Sequence, residues 1–406
     1  MNSHAGRSGS TQAMPALSTA RYRSLPDQQS SGIWTSIIVA SFLMIWRLTS
    51  VGVSQDEGQA KYILYAIPVV CIVTQILIGR FVLNFSAAAA GAFGAYLCAA
   101  AIAVLVSQSS NPWLMRDFLI ISSALCMAMI AWTASHREVV LMAFTCLICM
   151  MIEGIQEGIS FTIDFAASDG LLESAMAFPL GVILLYAIRA RRVRLGVLTA
   201  LLFMAANKRI AILAIVGVLV LEWMICRFGM GQRRRLITIA LSIMISASSL
   251  FSSQIFEMGA RLIDQENVSA NSISLGRFEI SQVIWNRLDD APFRKIVAGH
   301  GPGAADTVIE SELGFRMNAH NDWLKIFFDY GLFGFVIFHF ILALIFSRGV
   351  FSQWIHLYTA VVMMTDNCLI YTFHHVIVLV VMRAMGGSVP PRTAQPHELS
   401  TIRGAA

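Results

Sequence analysis

The sequence predicts an all-α polytopic integral membrane protein, and three observations lead to this fold class. Hydrophobic residues make up 57% of the 406 residues, and charged residues make up 13%. Soluble domains carry about 25% charged residues, so this chain has too few to cover the surface of a soluble fold. The apolar residues also form long stretches, and arginine clusters lie between some of them. Together these features predict a bundle of membrane-spanning helices.

Two polar tails enclose the apolar part of the chain. Residues 1–31 are rich in Ser, Gln, Gly and Ala without an apolar run. This composition predicts a disordered cytosolic tail and does not fit a signal peptide. Residues 386–406 contain several prolines and predict a second cytosolic tail.

A spanning helix needs about 20 mostly apolar residues. We predict transmembrane helices 1–9 within residues 32–252 and helices 10–12 within residues 326–385. The individual spans are 32–50, 62–79, 86–107, 118–135, 139–153, 174–189, 195–207, 210–226, 236–252, 326–346, 354–370 and 372–384. The seventh and the last two are short, so about twelve spans are expected, with eleven or thirteen as alternatives.

Arginine clusters predict the orientation of these helices. Residues 189–194 and 227–235 are rich in Arg, and such clusters favour the cytoplasmic side. Alternation then places both termini in the cytoplasm and one large loop, residues 253–325, on the periplasmic or extracellular side. The acidic segment 153–173 falls on that same side, as a solvated loop or as the lining of a substrate channel.

Neither the cysteines nor the net charge indicates a further kind of site. Cys146 and Cys149 have C-x-x-C spacing, but they lie inside an apolar stretch without a second pair or a nearby His. We therefore expect buried apolar cysteines and no metal site. The net charge of +5 is modest, and nothing in the sequence suggests a nucleic-acid partner.

The predicted outer loop concentrates glycine and polar residues. Arg277 opens a stretch whose apolar residues have helical spacing. A turn follows with Gly299, Gly301 and Gly303, where glycine permits positive φ and close backbone approach. His320 then begins the next predicted helix, where the helix dipole favours the neutral imidazole. A neutral imidazole can serve as a general base, and a capping role is the alternative.

Asn207-Lys208-Arg209 form a second polar feature, between the seventh and eighth spans at the outer membrane face. Ionisable residues at this depth are costly and indicate function, although the two side chains could also reach the interface by snorkelling. Arg209 and Arg277 are predicted to face the same side as His320. Arginine suits a diphosphate because it stays charged and binds two oxygens at once.

These motifs define a recognisable pattern in residues 195–345. They are Asn207-Lys208-Arg209, Gly276-Arg277, Gly299-x-Gly301-x-Gly303, His320-Asn321-x-x-Leu324 and Gly331-Leu332-x-Gly334. The pattern resembles that of the O-antigen ligase and polymerase superfamily, whose members are bacterial polytopic glycosyltransferases. The resemblance implies a GT-C-like membrane glycosyltransferase architecture in the inner membrane.

The resemblance also implies a reaction. A glycan would leave undecaprenyl diphosphate at the outer membrane face and join a sugar hydroxyl with inversion, without metal, nucleotide or other cofactor. Arg209 and Arg277 would bind the donor diphosphate, and His320 would act on the acceptor hydroxyl. Five further residues are predicted to bind substrate: Lys208, where family members commonly have Ser, and Gly301, Gly303, Arg316 and Asn321.

The resemblance leaves the acceptor open. A polymerase would extend another lipid-linked glycan of an exopolysaccharide or O-antigen, and this is the first expectation, whereas a ligase would transfer the glycan to lipid A-core. Membrane lipid is an expected partner, as are flippase and chain-length regulator proteins. A transporter or flippase is a third alternative. It would use Asp366-Asn367 within the membrane, but we interpret that pair as a break between the last two spans, and the chain shows no internal repeat.

Overall fold

The computed structural model describes residues 31–50, 61–78, 87–107, 113–130, 132–157, 174–206, 208–263, 277–314, 318–346 and 349–387. Within these ranges the secondary structure is α-helix with short turns and 3-10 segments. The helices are α1 (Ser31–Thr49), α2 (Lys61–Leu77), α3 (Ala87–Ser107), α4 (Leu114–Met129), α5 (His136–Glu157), α6 (Ala177–Arg189), α7 (Val193–Ala205), α8 (Arg209–Arg227), α9 (Arg234–Leu250), α10 (Ser252–Ile263), α11 (Arg277–Asp289), α12 (Phe293–Ala298), α13 (Ala304–Leu313), α14 (Asp322–Ile345), α15 (Gly349–Val362) and α16 (Thr372–Gly387).

Each of the predicted spans overlaps one helix, namely α1–α9 and α14–α16. Five of the described helices, α1, α3, α5, α8 and α14, are long and apolar enough to cross a membrane. The others are shorter than the roughly 20 residues that a straight crossing requires. The all-helical, polytopic class therefore agrees with the structure, and the count of twelve crossings stays a prediction.

The helices pack into a bundle with a buried centre and an apolar outer surface. Most side chains of α6, α15 and α16 are buried. Helices α7, α8 and α9 instead expose large apolar side chains, such as Leu201, Leu213 and Met244. An exposed apolar surface of this extent would be a liability in water and suits contact with lipid.

Contacts between helix termini show which turns lie at the same end of the bundle and which lie at the opposite end. At one end, called the site end below, the start of α8 contacts the segment between α15 and α16, and the α9–α10 junction contacts the start of α14. At the opposite end, Glu222 of α8 pairs with Arg234 of α9 at 3.1 Å. At this opposite end, Arg383 of α16 donates to the carbonyl of Ala128, which lies near the C-terminal end of α4. This alternation agrees with the predicted order of the spans.

Helix α14 connects the outer loop to the bundle and contains a sharp kink. Gly331 has φ +67° and ψ −174°, which is not helical. The backbone amides of His300 and Gly301 donate to the carbonyls of Phe328 and Asp329, at 3.0 and 2.9 Å. Insertion of other donors into a helix's hydrogen-bond ladder is a recognised cause of kinks, and here a loop inserts into α14.

The structure corrects two predicted helix boundaries. His320 does not begin the helix: its φ of +48° is left-handed, Asn321 is the N-cap, and α14 starts at Asp322. Helix α15 ends at Val362, well before the predicted end of its span at residue 370. A turn and a 3-10 segment, Cys368–Ile370, follow, so the predicted break at Asp366-Asn367 is confirmed.

Candidate active site

The outer loop rests on the bundle through its own small apolar core. Ile280, Ile284 and Leu288 of α11 are buried together with Leu324 and Phe328 of α14. Their spacing places the three α11 side chains on one face of the helix. Burying each of them contributes about 1.5–3 kcal/mol. The helical spacing noted after Arg277 therefore corresponds to a helix, α11, which lies on the protein bundle.

The glycine turn packs too closely for side chains. Gly299, Gly301 and Gly303 all have positive φ, at +90°, +102° and +76°. A Cβ on Gly303 would lie 2.6 Å from the Cβ of Trp113, and one on Gly299 would lie 2.3 Å from the Asp329 carbonyl oxygen. A Cβ on Gly301 would lie 3.0 Å from Oγ of Ser107, so Gly301 and Gly303, both predicted to bind substrate, have a direct structural role. Contact with substrate is a separate prediction.

Asp329 holds the end of this turn from within α14. Its carboxylate accepts hydrogen bonds from the backbone N–H groups of Gly303, at 2.9 Å, and Ala305, at 2.8 Å. These N–H groups belong to the first turn of α13, where helix donors have no intrahelical partner. Asp329 thus caps α13 from a neighbouring helix and fixes α13 against the bundle.

A buried cluster of charges surrounds this cap. The Nζ of Lys325 lies 2.7 Å from an oxygen of Asp117 and 3.1 Å from oxygens of Asp306 and Asp329. Arg116 completes the cluster through ion pairs with Asp117 and Asp306. The three carboxylates are at most 4% exposed. The sequence interpretation missed this cluster, although isolated ionisable residues at the ends of apolar stretches were its signal.

His320 is held by one residue from the break between α15 and α16. Its backbone N–H donates to Oδ1 of Asn367 at 2.8 Å, and its Nδ1 lies 3.3 Å from Nδ2 of the same amide. A left-handed backbone is uncommon outside glycine but is enriched for His, Asn and Asp. The two contacts to Asn367 thus hold both the backbone and the ring of His320.

Lys208 joins the same group. Its Nζ lies 3.1 Å from Oδ2 of Asp366, whose other oxygen accepts from the backbone N–H of Asn367 at 2.8 Å. A continuous polar path therefore runs from Lys208 through Asp366 and Asn367 to His320. Arg209 follows Lys208 directly, as the exposed first residue of α8.

Asn321 links His320 to the helix of Arg277. Its Oδ1 caps α14 by accepting from the N–H of Leu324 at 3.1 Å, and its Nδ2 donates to the carbonyl of Ser249 at 2.8 Å. The same Nδ2 lies 3.3 Å from the hydroxyl of Ser252, which bonds that of Ser281 at 3.3 Å. Ser281 is in turn one helical turn from Arg277.

The residues predicted for the site therefore divide into three groups. His320, Asn321 and Lys208 are linked through hydrogen bonds and an ion pair, while Arg209 and Arg277 are the first residues of α8 and α11. Gly301 and Gly303 shape the adjoining turn. Arg316, with Asn207 of the motif, lies outside the described residues.

Two other features have structural partners. His300 stacks on Phe328, with ring centroids 4.1 Å apart. Burial lowers the pKa of His300, the charge of Lys295 lowers it further, and a hydrogen bond to the Phe328 carbonyl only partly opposes this. In the predicted acidic segment, Glu153 forms a buried ion pair with Arg47 at 2.6 Å, and residues 158–173 are outside the described part.

The site end offers cationic and hydrogen-bonding groups, and Arg209 among them is exposed. Lysine and arginine side chains there suit an anionic ligand, and an imidazole can donate or accept a proton at neutral pH. Among the described residues, no group of three or more His, Cys, Asp or Glu side chains is arranged to hold a metal ion.

Comparison with known families identifies the region that contains this site. Residues 195–339 match the family model described as O-antigen ligase. Over these residues the chain is similar to the O-antigen ligase family. The resemblance drawn from the motifs is thereby confirmed. Comparisons with curated proteins and with solved structures gave no match.

The O-antigen ligase domain begins in α7 and ends within α14. It includes Lys208, Arg209, Arg277 and His320. Asp366 and Asn367, which contact Lys208 and His320, lie beyond its end, so a later part of the chain supplies partners to two polar residues of the matched region.

Proposed function

We propose that this protein is an inner-membrane glycosyltransferase that moves a glycan from undecaprenyl diphosphate to a sugar hydroxyl. In the reaction, the bond between the anomeric carbon and the diphosphate oxygen breaks, and a bond to the acceptor oxygen forms with inversion. The acceptor proton goes to solvent, and no metal or other cofactor takes part. The O-antigen ligase match supports the reaction class.

The observation that carries the proposal is the convergence of two polar paths at His320 and Asn321. One path leads through Asn367 and Asp366 to Lys208, beside Arg209, and the other leads toward the helix of Arg277. The leaving diphosphate gains negative charge in the transition state, and preorganised cations stabilise such charge. We assign this role to Arg209 and Arg277, with Lys208 as an additional phosphate contact.

The orientation and architecture follow from the same proposal. The site end would face the periplasm, and both termini would face the cytoplasm, as the arginine clusters predict. The lipid tail of the donor would lie among the membrane helices, which form a GT-C-like bundle of about twelve spans. Asp366-Asn367 would belong to the glycosyltransferase site, which leaves the transporter alternative without its polar mid-membrane site.

Two acceptors remain as candidates. A lipid-linked repeat unit as acceptor would make the protein a polymerase of an exopolysaccharide or O-antigen. Lipid A-core as acceptor would make it a ligase, the alternative to the polymerase that is expected first. In a deletion strain, single unpolymerised repeats would identify a polymerase, whereas long lipid-linked chains not attached to core would identify a ligase.

Complementation of that strain tests the catalytic assignment. Arg277→Ala should lower glycan transfer by about 10²–10³-fold, the usual loss when one electrostatic contact to the transition state is removed. Arg287→Ala is the matched control, because Arg287 lies on the same helix in an exposed ion pair with Glu312. Quantities of each variant in the membrane are compared by immunoblot.

The two variants separate a catalytic effect from a general one. Loss with Arg277→Ala and normal polysaccharide with Arg287→Ala supports the assignment. Normal polysaccharide from Arg277→Ala, or from His320→Ala, at wild-type membrane levels would refute it.

A further inference from the structure

The hydrogen bonds of Asn367 determine which nitrogen of His320 carries its proton. The backbone N–H of His320 can only donate, so the atom of Asn367 at 2.8 Å must be the amide oxygen. This contact orients the amide without reference to the imidazole. The amide NH₂ group is then the atom at 3.3 Å from Nδ1 of His320.

An amide NH₂ group has only donors to offer. Nδ1 of His320 must therefore accept, and the proton of the neutral ring lies on Nε2. The position of Asn367 is itself fixed, because its backbone N–H donates to Asp366 at 2.8 Å and Asp366 pairs with Lys208. A rigid polar path thus specifies one tautomer of His320.

We infer that Asn367 is a positioning residue that makes His320 a hydrogen-bond donor, through Nε2–H, to an oxygen of the donor diphosphate. A neutral imidazole in this tautomer has no lone pair on Nε2, and its Nδ1 lone pair is engaged by Asn367. His320 therefore does not take the proton of the acceptor hydroxyl, which passes to water at the site end after the glycosidic bond forms.

This inference rests on the proposed function and deepens it. The developing charge in the reaction lies on the diphosphate, where a fixed donor is most valuable. His320 joins Arg209 and Arg277 on the side of the leaving group, in place of the general-base role that the sequence motif suggested. Asn367 lies outside residues 195–339, so the matched domain does not contain the group that sets the tautomer.

Nitrogen NMR of the full-length protein in lipid, with ¹⁵N-labelled histidine, tests the tautomer directly. The signal that disappears in His320→Gln belongs to His320. We expect an unprotonated Nδ1 and a protonated Nε2 in the wild type. A protonated Nδ1 with an unprotonated Nε2 would overturn the inference even if His320→Ala proves inactive, so its failure is distinct from failure of the proposed function.

Substitution of Asn367 tests the consequence for turnover. In Asn367→Asp, a carboxylate oxygen can still accept from the His320 backbone, but the other oxygen now attracts a proton to Nδ1. We expect the NMR signal to switch tautomer and glycan transfer to fall about 10²-fold, as for loss of one oxyanion donor. Unchanged or faster transfer would indicate a base oriented by a carboxylate and would refute the donor role.

A conservative variant supplies the third readout. Glutamine carries an amide NH₂ group near the position of the imidazole Nε2–H, and it is a poor base. His320→Gln should therefore retain at least about one tenth of wild-type transfer, whereas loss of a general base costs roughly 10²–10⁴-fold. Equal inactivity of His320→Gln and His320→Ala, at normal membrane levels, would contradict the inference.

Discussion

The Nζ of Lys208 lies 3.1 Å from Oδ2 of Asp366, and this ion pair ties the start of α8 to the break between α15 and α16. Both side chains are largely buried, with 11% and 2% exposed. Asn367, next to Asp366, contacts His320, so the pair also fixes the distance between the two ends of the candidate site.

Breaking this pair should destabilise the protein. Asp366→Asn removes the negative charge and leaves the ammonium of Lys208 in a poorly solvated place. Loss of one partner of a buried pair costs about 3–5 kcal/mol, and we expect a value near the lower end because Lys208 is partly exposed. Thermal unfolding in detergent measures the change.

A double variant separates stability from activity. Lys208→Met with Asp366→Leu leaves no uncompensated charge, so part of the stability should return. Glycan transfer should stay low, because the proposed phosphate contact is absent. If the stability lost by the double variant equalled the sum of the losses from Lys208→Met and Asp366→Leu alone, the two side chains would not interact energetically.

Lys325 should be among the most sensitive positions of the fold. Lys325→Met removes the ammonium that contacts Asp117, Asp306 and Asp329 and leaves their carboxylates to repel one another. We expect a loss of about 3–5 kcal/mol or failure to accumulate in the membrane. Membrane yield and thermal unfolding report the effect.

The exposed pair of Arg287 and Glu312 is the control for Lys325. Glu312→Gln should change stability by about 1 kcal/mol or less, since exposed ion pairs contribute little. If Lys325→Met were as mild as this control, the buried cluster would not hold the outer loop on the bundle.

Gly331 should not tolerate a side chain. An added Cβ would lie 2.4 Å from the carbonyl oxygen of Val297, and the backbone has φ +67°. Gly331→Ala should therefore separate the glycine turn from α14 and lower both stability and transfer. Left-handed backbone alone costs an L-residue about 1–2 kcal/mol, before the clash is counted.

Gly217 is the matched control for Gly331. It lies within α8, and a Cβ there would meet nothing within 4 Å. Gly217→Ala should be neutral or slightly stabilising in the same unfolding assay, because alanine has the higher helix propensity. Tolerance of alanine at residue 331 would mean that the turn is free to move away from α14.

His300 should make the stability of the outer loop depend on pH. Burial lowers its pKa in the folded state, so the unfolded state binds the proton more readily. The stability that this creates is present above the ordinary pKa of about 6.5 and is lost as pH falls toward the lowered value.

Thermal unfolding measured between pH 7.5 and pH 5 tests this prediction. These assay conditions lie about one unit or more on each side of the ordinary histidine pKa. The wild type should lose more stability across the interval than His300→Gln does. Equal slopes for both proteins would assign the pH dependence to other groups.

Periodicity and composition predict where the helices lie, but they predict few of the contacts between helices. All predicted spans correspond to helices, because long apolar stretches have few alternatives to helical structure in lipid. The sequence predicts the start of α14 at His320, two residues early, because a capping Asn preceded by a left-handed residue leaves no periodic signal. The pairing within the charge cluster around Lys325 carries no local sequence signal, since Arg116 and Asp117 of α4 lie far along the chain from Asp306, Lys325 and Asp329.

By itself, the amino-acid sequence determined the apolar, helical character of the chain, the order of its helices, and the similarity of residues 195–339 to the O-antigen ligase family. Each of these depends on local composition, on charge between neighbouring spans, or on motifs short enough to be read along the chain. Only the tertiary structure decided that Asn367 contacts His320 and that Lys208 pairs with Asp366. These contacts depend on how separate helices pack, and hydrogen-bond direction, which selects a tautomer, exists only after that packing is complete.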